Sequence, residues 1–441
     1  MFLFRKQPDR SNVTIERTPN GLDMISLDTT NHCNARCIFC FNDWDSFKPC
    51  SMKTDTFEKV LPILPLLNDG GQFLASCWFE PTINREFFKI VGMIPDFLKD
   101  RGYFTTNLVV PLSDDDLRAM CRANLDHINV SLETYDEQVY THVTSVKMSF
   151  FYDNLTRLAK IAKEEGMDIW LISMLLKSNM DEFPSLVRKA HEEVGPAVHE
   201  IRSPFFYPAD TENKPDVIEE LLTREEFAKV REAVDALGYD HIRWQPGPTK
   251  EAFLAFEADK DGYQEKVEEV DRFWVRVNAD GTARVGHPET GTLIDLKAAD
   301  DPAEAVLEEL TRLRTARYRM NAVPAGDVKI VKERNADPFS CDRIAICGGR
   351  FMEVNGWETG TLRSGAPGAE RVAVLETGGK RYASVMNTVK RADVAEALKD
   401  PACEQAGFSV RFDPGFEIGD DFRIWTGYKA GDTIYRQARL Y

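Results

Sequence analysis

Cys33-Asn-Ala-Arg-Cys37-Ile-Phe-Cys40 is the stretch on which the reading of this chain turns. It follows directly on the run MISLDTT (24–30), which reads as a strand closing in polar residues. Three thiols therefore fall in a loop at the carboxyl end of a strand. Three thiolates can hold three irons of a cubane cluster and leave the fourth open for a substrate or cofactor to coordinate, whereas a purely electron-carrying cluster has four cysteines. The other readings are a zinc site, for which His32 or Cys50 would supply a fourth ligand, and buried free thiols.

Outward from this loop the pattern repeats. Five further apolar runs end in polar or small residues: QFLASCWF (72–79), GYFTTNLVV (102–110), HINVSLET (127–134), IWLISMLL (169–176) and HEIRSPFF (199–206). Between them TFEKVLPILPLL, REFFKIVGMIPDFL, DDDLRAMCRA, FFYDNLTRLAKIAKEEG and FPSLVRKAHEEV place apolar residues at helical spacing. The alternation predicts an α/β core over residues 23–205, a partial (β/α)6 TIM-like barrel whose functional groups gather at the carboxyl ends of its strands. Residues 1–22 form an N-terminal segment. Residues 206–350 read as a small α+β module, with the helical EEFAKVREAVDALG, the hairpin FWVRVNADGTARV around an Asp-Gly turn, and the helical DPAEAVLEELTRLRTARYRM. Residues 351–441 read as an antiparallel β-sandwich of short, Gly-punctuated strands.

The chain has 441 residues and a net charge of −17, which repels phosphate backbones and anionic lipid, so neither nucleic acid nor membrane is an expected partner. No apolar run reaches membrane-spanning length and the opening MFLFRKQPDR is too short for a signal peptide, so a cytoplasmic location is expected. Nine cysteines, clustered rather than evenly spread, argue for metal over a disulfide framework.

CNARCIFC resembles the CxxxCxxC signature of the radical S-adenosylmethionine (SAM) superfamily, with Phe39 as the usual aromatic before the last cysteine. The resemblance covers residues 23 to about 205 and implies one [4Fe–4S] cluster on Cys33, Cys37 and Cys40, with SAM as the molecule at its open iron. It also implies a reductant such as flavodoxin or ferredoxin. Where the superfamily shows Gly-Gly-Glu-Pro, this chain has Trp78-Phe79-Glu80-Pro81, so bulky side chains stand beside the expected cofactor site. By resemblance, Glu80 accepts the amino group of SAM, Thr106 and Asn107 end the third strand beside the cofactor, Ser131 and Glu133 contact the ribose, and Leu175 flanks the adenine.

The stretch from Phe273 through Cys341-Asp-Arg-Ile-Ala-Ile-Cys347-Gly-Gly is similar to the SPASM or twitch extension of this superfamily, which carries an auxiliary cluster. Here Gly286 stands where a cysteine is usual, and no cysteine lies between 205 and 340. Two thiols cannot hold a cubane, so either no auxiliary cluster is present, the favoured reading, or His287 and another group complete one. The tail resembles a sandwich found in sugar-related enzymes, with Trp357, Trp425 and Tyr428 as aromatics for stacking on sugar rings. No leader-peptide-binding domain is expected before the first barrel strand, since only residues 1–22 precede it. The expected function is hydrogen-atom abstraction from a sugar-containing small molecule, giving epimerisation or oxidation, with Cys77 or Cys341 as the hydrogen donor in an epimerase. The alternatives are a ribosomal-peptide maturase and a non-catalytic glycan-binding protein.

Overall fold

The structure, a computed structural model, describes residues 13–18, 21–40, 42, 48–76, 78–204, 216–258, 273–286, 291–319, 322–323, 329–332, 339–360 and 369–441. The chain divides into two compact units, one of Leu22–Ala305 and one combining Met1–Gly21 with Val306–Tyr441. The first strand, β1 (Thr14–Thr18), belongs to the second of these.

Seven parallel strands run side by side in chain order through the first unit: β2 (Leu22–Leu27), β3 (Leu67–Ser76), β4 (Gly102–Thr106), β5 (His127–Ser131), β6 (Asp168–Met174), β7 (Val198–Arg202) and β8 (Ile242–Gln245). The first six are the strands the alternation predicts, so the partial barrel stands. Its outer layer is built from helices that each bury one stripe. In Phe151–Glu165 the buried apolar side chains are Phe151, Leu155, Leu158, Ile161 and Ala162, which share one face, and Gly166 closes the helix in the left-handed region at φ 74°. Ser113 and Asp116 form a reciprocal capping box that starts the helix Asp114–Cys121.

The hairpin expected in a separate module instead extends this sheet. Strand β9 (Trp274–Val277) pairs in parallel with β2, and β10 (Thr282–Gly286) and β11 (Thr292–Asp295) continue antiparallel beyond it, so the sheet has ten strands. Gly281 makes the turn after Asp280 at φ 87°, where a Cβ would also meet Thr56 Cγ2 at 2.9 Å.

The second unit contains β12 (Ala322–Val323), β13 (Lys329–Lys332), β14 (Phe339–Cys347), β15 (Phe351–Glu358), β16 (Glu370–Thr377), β17 (Lys380–Val385), β18 (Asn387–Val389), β19 (Gly407–Phe412), β20 (Phe422–Ala430) and β21 (Thr433–Arg439). They form a five-stranded sheet, β1-β14-β15-β19-β18, and a six-stranded sheet, β12-β17-β16-β20-β21-β13. Ile344, Ile346, Val354, Phe408 and Val410 of the first pack with Ala373, Leu375, Phe422 and Ile424 of the second. The sandwich thus reaches beyond the expected residues 351–441 to take in β1 and β12–β14. The strand CDRIAIC, expected in the extension, is one of its strands. Two of the pairings, β1 with β14 and β13 with β21, are parallel.

Candidate active site

The polar loop after β2 is held by backbone contacts to the helix Glu137–Thr144: Arg36 N–H donates to Thr144 O at 2.8 Å and Ile38 N–H to Val143 O at 2.9 Å. Cys40 N–H donates to Cys37 O at 3.0 Å, closing the turn that carries the last two cysteines. Asn34 ties the loop to the end of β4. Its side chain donates to Val109 O at 2.8 Å, and Asn107 Nδ2 donates to Asn34 Oδ1 at 2.9 Å.

All three cysteines line one cavity of about 300 Å³ at the carboxyl ends of the strands. Phe39, Glu80, Thr106, Asn107, Ser131 and Glu133 line it with them, so six of the seven expected cofactor contacts are brought together. Leu175 is not. The strand turns it away, and it is buried instead with Ser203, Pro204, Leu222 and Phe227 around a separate small cavity, while Ile172 and Met174 face the site.

Glu80 is buried and accepts four hydrogen bonds. Oε1 takes Thr82 N–H at 3.1 Å, Thr82 Oγ1 at 2.5 Å and Thr106 Oγ1 at 2.7 Å, and Oε2 takes Asn107 N–H at 2.6 Å. Burial raises its carboxyl above the ordinary value against the pull of these donors. Glu133 is equally buried and is pushed up to about 8 by burial, opposed by Met174 N–H at 2.8 Å and the charge of Arg202. Asn179 braces that turn, donating to Glu133 O and Met174 O at 2.9 Å each.

The donor set fits a cubane cluster. A cubane takes each thiol on a different iron, and the three thiols line the one cavity. Burial, and then the charge of Glu80, pushes Cys33 up to about 12, and burial and Glu133 raise Cys37 well above its ordinary value, so thiolates here need a positive partner. Neither His32 nor Cys50 lines the cavity; the Cys50 carbonyl instead accepts from Asn31 N–H and Thr30 Oγ1.

Several lining residues carry no sequence signal of their own: Tyr103, Thr105, Asn129, Tyr140 and Arg202. Tyr140 reaches the cavity from the helix Glu137–Thr144, and the others sit on inward positions of their strands, where only the pairing register aims them at one space. The same holds for Asp28 and Arg276, which form a buried ion pair at 2.8 Å while the guanidinium lies 4.4 Å over Trp78 on the cavity wall.

Cys77 and His287 lie outside the described residues. Cys341, expected as a hydrogen donor, is instead a core residue of the sandwich, 7 % exposed beside Ile344 and Val354, and burial pushes its thiol up to about 12. Trp425 is fully buried in the same unit, Tyr428 is 8 % exposed, and Trp357 packs against Val394 and Cys403, so these aromatics form core rather than a sugar-stacking face.

The first unit is thus a parallel partial barrel with three cysteines on the loop after its first strand, opening on a cavity between buried carboxylates. Residues 27–190 match the radical SAM superfamily model, and the chain carries a radical SAM domain over that span. The probable GTP 3',8-cyclase of Thermoplasma volcanium is 27 % identical over 172 residues, covering 38 % of this chain and 50 % of that protein. The GTP 3',8-cyclase of Chlorobaculum tepidum is 26 % identical over 184 residues, covering 41 % of this chain and 53 % of that protein. The chain spans about half the length of these curated relatives. The crystal structure of Streptococcus suis SuiB bound to precursor peptide SuiA is similar at a TM-score of 0.47 and 13 % identity, covering 65 % of each chain. Among the described residues no helix is long and apolar enough to cross a membrane.

Proposed function

We propose that this enzyme cleaves SAM reductively and abstracts a hydrogen atom from a carbohydrate-containing small molecule, giving epimerisation or oxidation. The observation that carries the reading is the convergence of Cys33, Cys37 and Cys40 with Glu80 and Glu133 on one cavity. When bound there, a [4Fe–4S] cluster supplies one electron to the SAM sulfonium, and breaking the carbon–sulfur bond yields methionine and a 5'-deoxyadenosyl radical.

The chain's own residues bind, orient and exclude water. Glu80 fixes Thr106 and Asn107, and Asn107 in turn fixes Asn34 in the cluster loop. One lone-pair site remains on Glu80 Oε2, which suits a single N–H of the SAM amino group. Ser131 and Glu133 line the same cavity and serve in this reading as the contacts to the ribose hydroxyls. For the substrate, Thr105 and Asn129 offer hydroxyl and amide groups on the inward face, a lining suited to a hydroxylated molecule. The name of the relatives also refers to a sugar-containing metabolite, GTP.

An auxiliary cluster is not part of this reading, because Cys341 and Cys347 lie at the two ends of one strand of the sandwich, with Cys341 in its core. The electron donor is a flavodoxin or ferredoxin.

The test is anaerobic reconstitution with iron and sulfide, followed by dithionite, SAM and a panel of C–H-deuterated sugars and nucleotides. Formation of 5'-deoxyadenosine, with deuterium transferred from one panel member, supports the reading. No 5'-deoxyadenosine would remove it. Formation of 5'-deoxyadenosine without label from any sugar would remove the substrate class.

A further inference from the structure

Below the cavity, the inward side chains nearest the amino end of the barrel form a continuous stack. Tyr103 on β4 lies ring to ring with His127 on β5, centroids 4.9 Å apart and planes 15° from parallel. His127 lies 3.8 Å from Trp170 on β6 at 9°, and the guanidinium of Arg243 on β8 sits 4.6 Å over Trp170. Tyr103 lines the cavity, one inward position below Thr105. Trp170 is half-buried and Arg243 is exposed, so the stack runs from the cavity floor to solvent. His127 is buried, its Nδ1 is 2.7 Å from Asp126 Oδ2, burial lowers its pKa against the pull of that carboxylate, and its ring bridges the phenol and the indole.

Apolar packing would fill this layer without such geometry. A phenol facing a radical-generating cavity, backed by an indole through one intervening ring in van der Waals contact, is a redox arrangement. We propose that Tyr103 donates a hydrogen atom to carbon radicals in the cavity, and that the His127–Trp170 stack carries the resulting hole to the amino end of the barrel. This rests on the radical-forming reaction proposed above.

The steps balance as follows. The phenolic O–H breaks and a C–H bond forms, turning the carbon radical into closed-shell product and Tyr103 into a neutral tyrosyl radical. This is downhill because the C–H bond formed is stronger than the phenolic O–H. The tyrosyl takes one electron from Trp170 and one proton from water, restoring the phenol and leaving an indole radical cation. A low-potential one-electron reductant, of the class that SAM cleavage itself requires, returns the electron at the exposed end. The net change is one carbon radical, one electron and one proton giving one C–H bond. The guanidinium over Trp170 disfavours the indole cation, so the hole rests on Tyr103 between transfers. The same donor would return hydrogen to a substrate radical, which favours epimerisation over oxidation.

The experiment needs no identified substrate: the reconstituted full-length enzyme is given SAM and dithionite in D2O, where the phenol exchanges to O–D. The wild type is expected to place deuterium in its 5'-deoxyadenosine and to show a tyrosyl signal in freeze-quenched electron paramagnetic resonance. Tyr103→Phe is expected to lower the deuterium content by about an order of magnitude and to lose the signal. Trp170→Phe is expected to keep the signal but prolong its lifetime by a similar factor. Growth on 3-fluorotyrosine, which changes the hyperfine pattern without a substitution, checks the assignment should Tyr103→Phe fold poorly. Equal deuterium and an unchanged signal in Tyr103→Phe would overturn the donor, and an unchanged lifetime in Trp170→Phe would overturn the conduit. Failure of the wild type to form any 5'-deoxyadenosine overturns the reaction and this proposal together. 5'-Deoxyadenosine without deuterium or signal overturns this proposal alone.

Discussion

Glu80 and Asn107 meet at the ends of adjacent strands: the backbone N–H of Asn107 donates to Glu80 Oε2 at 2.6 Å, while the Asn107 side chain reaches Asn34 in the cluster loop. One carboxylate therefore sets the wall of the cavity and, through a single residue, the position of the cysteines. Glu80→Ala leaves buried donors on Thr82, Thr106 and Asn107 without an acceptor, at about 1–3 kcal/mol for each unpaired group. The expected loss is at least about 3 kcal/mol in urea denaturation, and Glu80→Gln, which keeps Oε1, should cost roughly half as much. An alanine variant within experimental error of wild type would show that these bonds do not hold the wall.

Replacing Cys33, Cys37 or Cys40 singly by alanine should abolish the charge-transfer absorbance of the reconstituted protein and all formation of 5'-deoxyadenosine, since two thiolates do not retain a cubane. Iron analysis of the wild type should give about four irons per chain, from the one site. About eight, halved by Cys341→Ala/Cys347→Ala, would establish an auxiliary cluster.

His199 lies fully buried with Nε2 2.9 Å from Ser173 Oγ, and burial pushes its pKa down to about 3 from 6.5. The folded state then binds fewer protons than the unfolded state, so the stability tied to neutral His199 is complete above about pH 6.5 and is lost as pH falls from there toward 3. Between pH 6.5 and 5 the loss is at most about 2 kcal/mol from this residue. His199→Gln should flatten that part of the stability profile, measured by urea denaturation at a series of pH values. An unchanged slope would place the acid sensitivity elsewhere.

The Asp28–Arg276 pair joins β9 to the carboxyl end of β2, with Asp28 only 2 % exposed. Arg276→Met leaves a buried carboxylate without its cation and should cost about 3–5 kcal/mol, whereas the double variant Asp28→Asn/Arg276→Met should recover most of it. A double-mutant cycle on thermal or urea unfolding measures the coupling, and additive effects would show that the two side chains do not act as a pair.

The cluster loop, the six barrel strands and most of the residues that line the cavity beside the cysteines were legible in the sequence because each is local. Three cysteines at CxxxCxxC spacing need only one loop, and a polar residue at a strand end is marked by the apolar run before it. Tertiary structure alone decided that Tyr103 reaches the cavity and that His127, Trp170 and Arg243 follow it in a stack, since these residues become neighbours only through the register of four strands. It also decided that the Asp-Gly hairpin joins the barrel sheet and that CDRIAIC enters the sandwich. The local pattern of both is simply that of a strand, and a strand's partner is chosen by which apolar face it can cover, a long-range choice that leaves no mark on its own residues. Leu175 and Cys341 show the same limit: their residue types suit a site, but the pleat turned one from the cavity and the packing of two sheets buried the other.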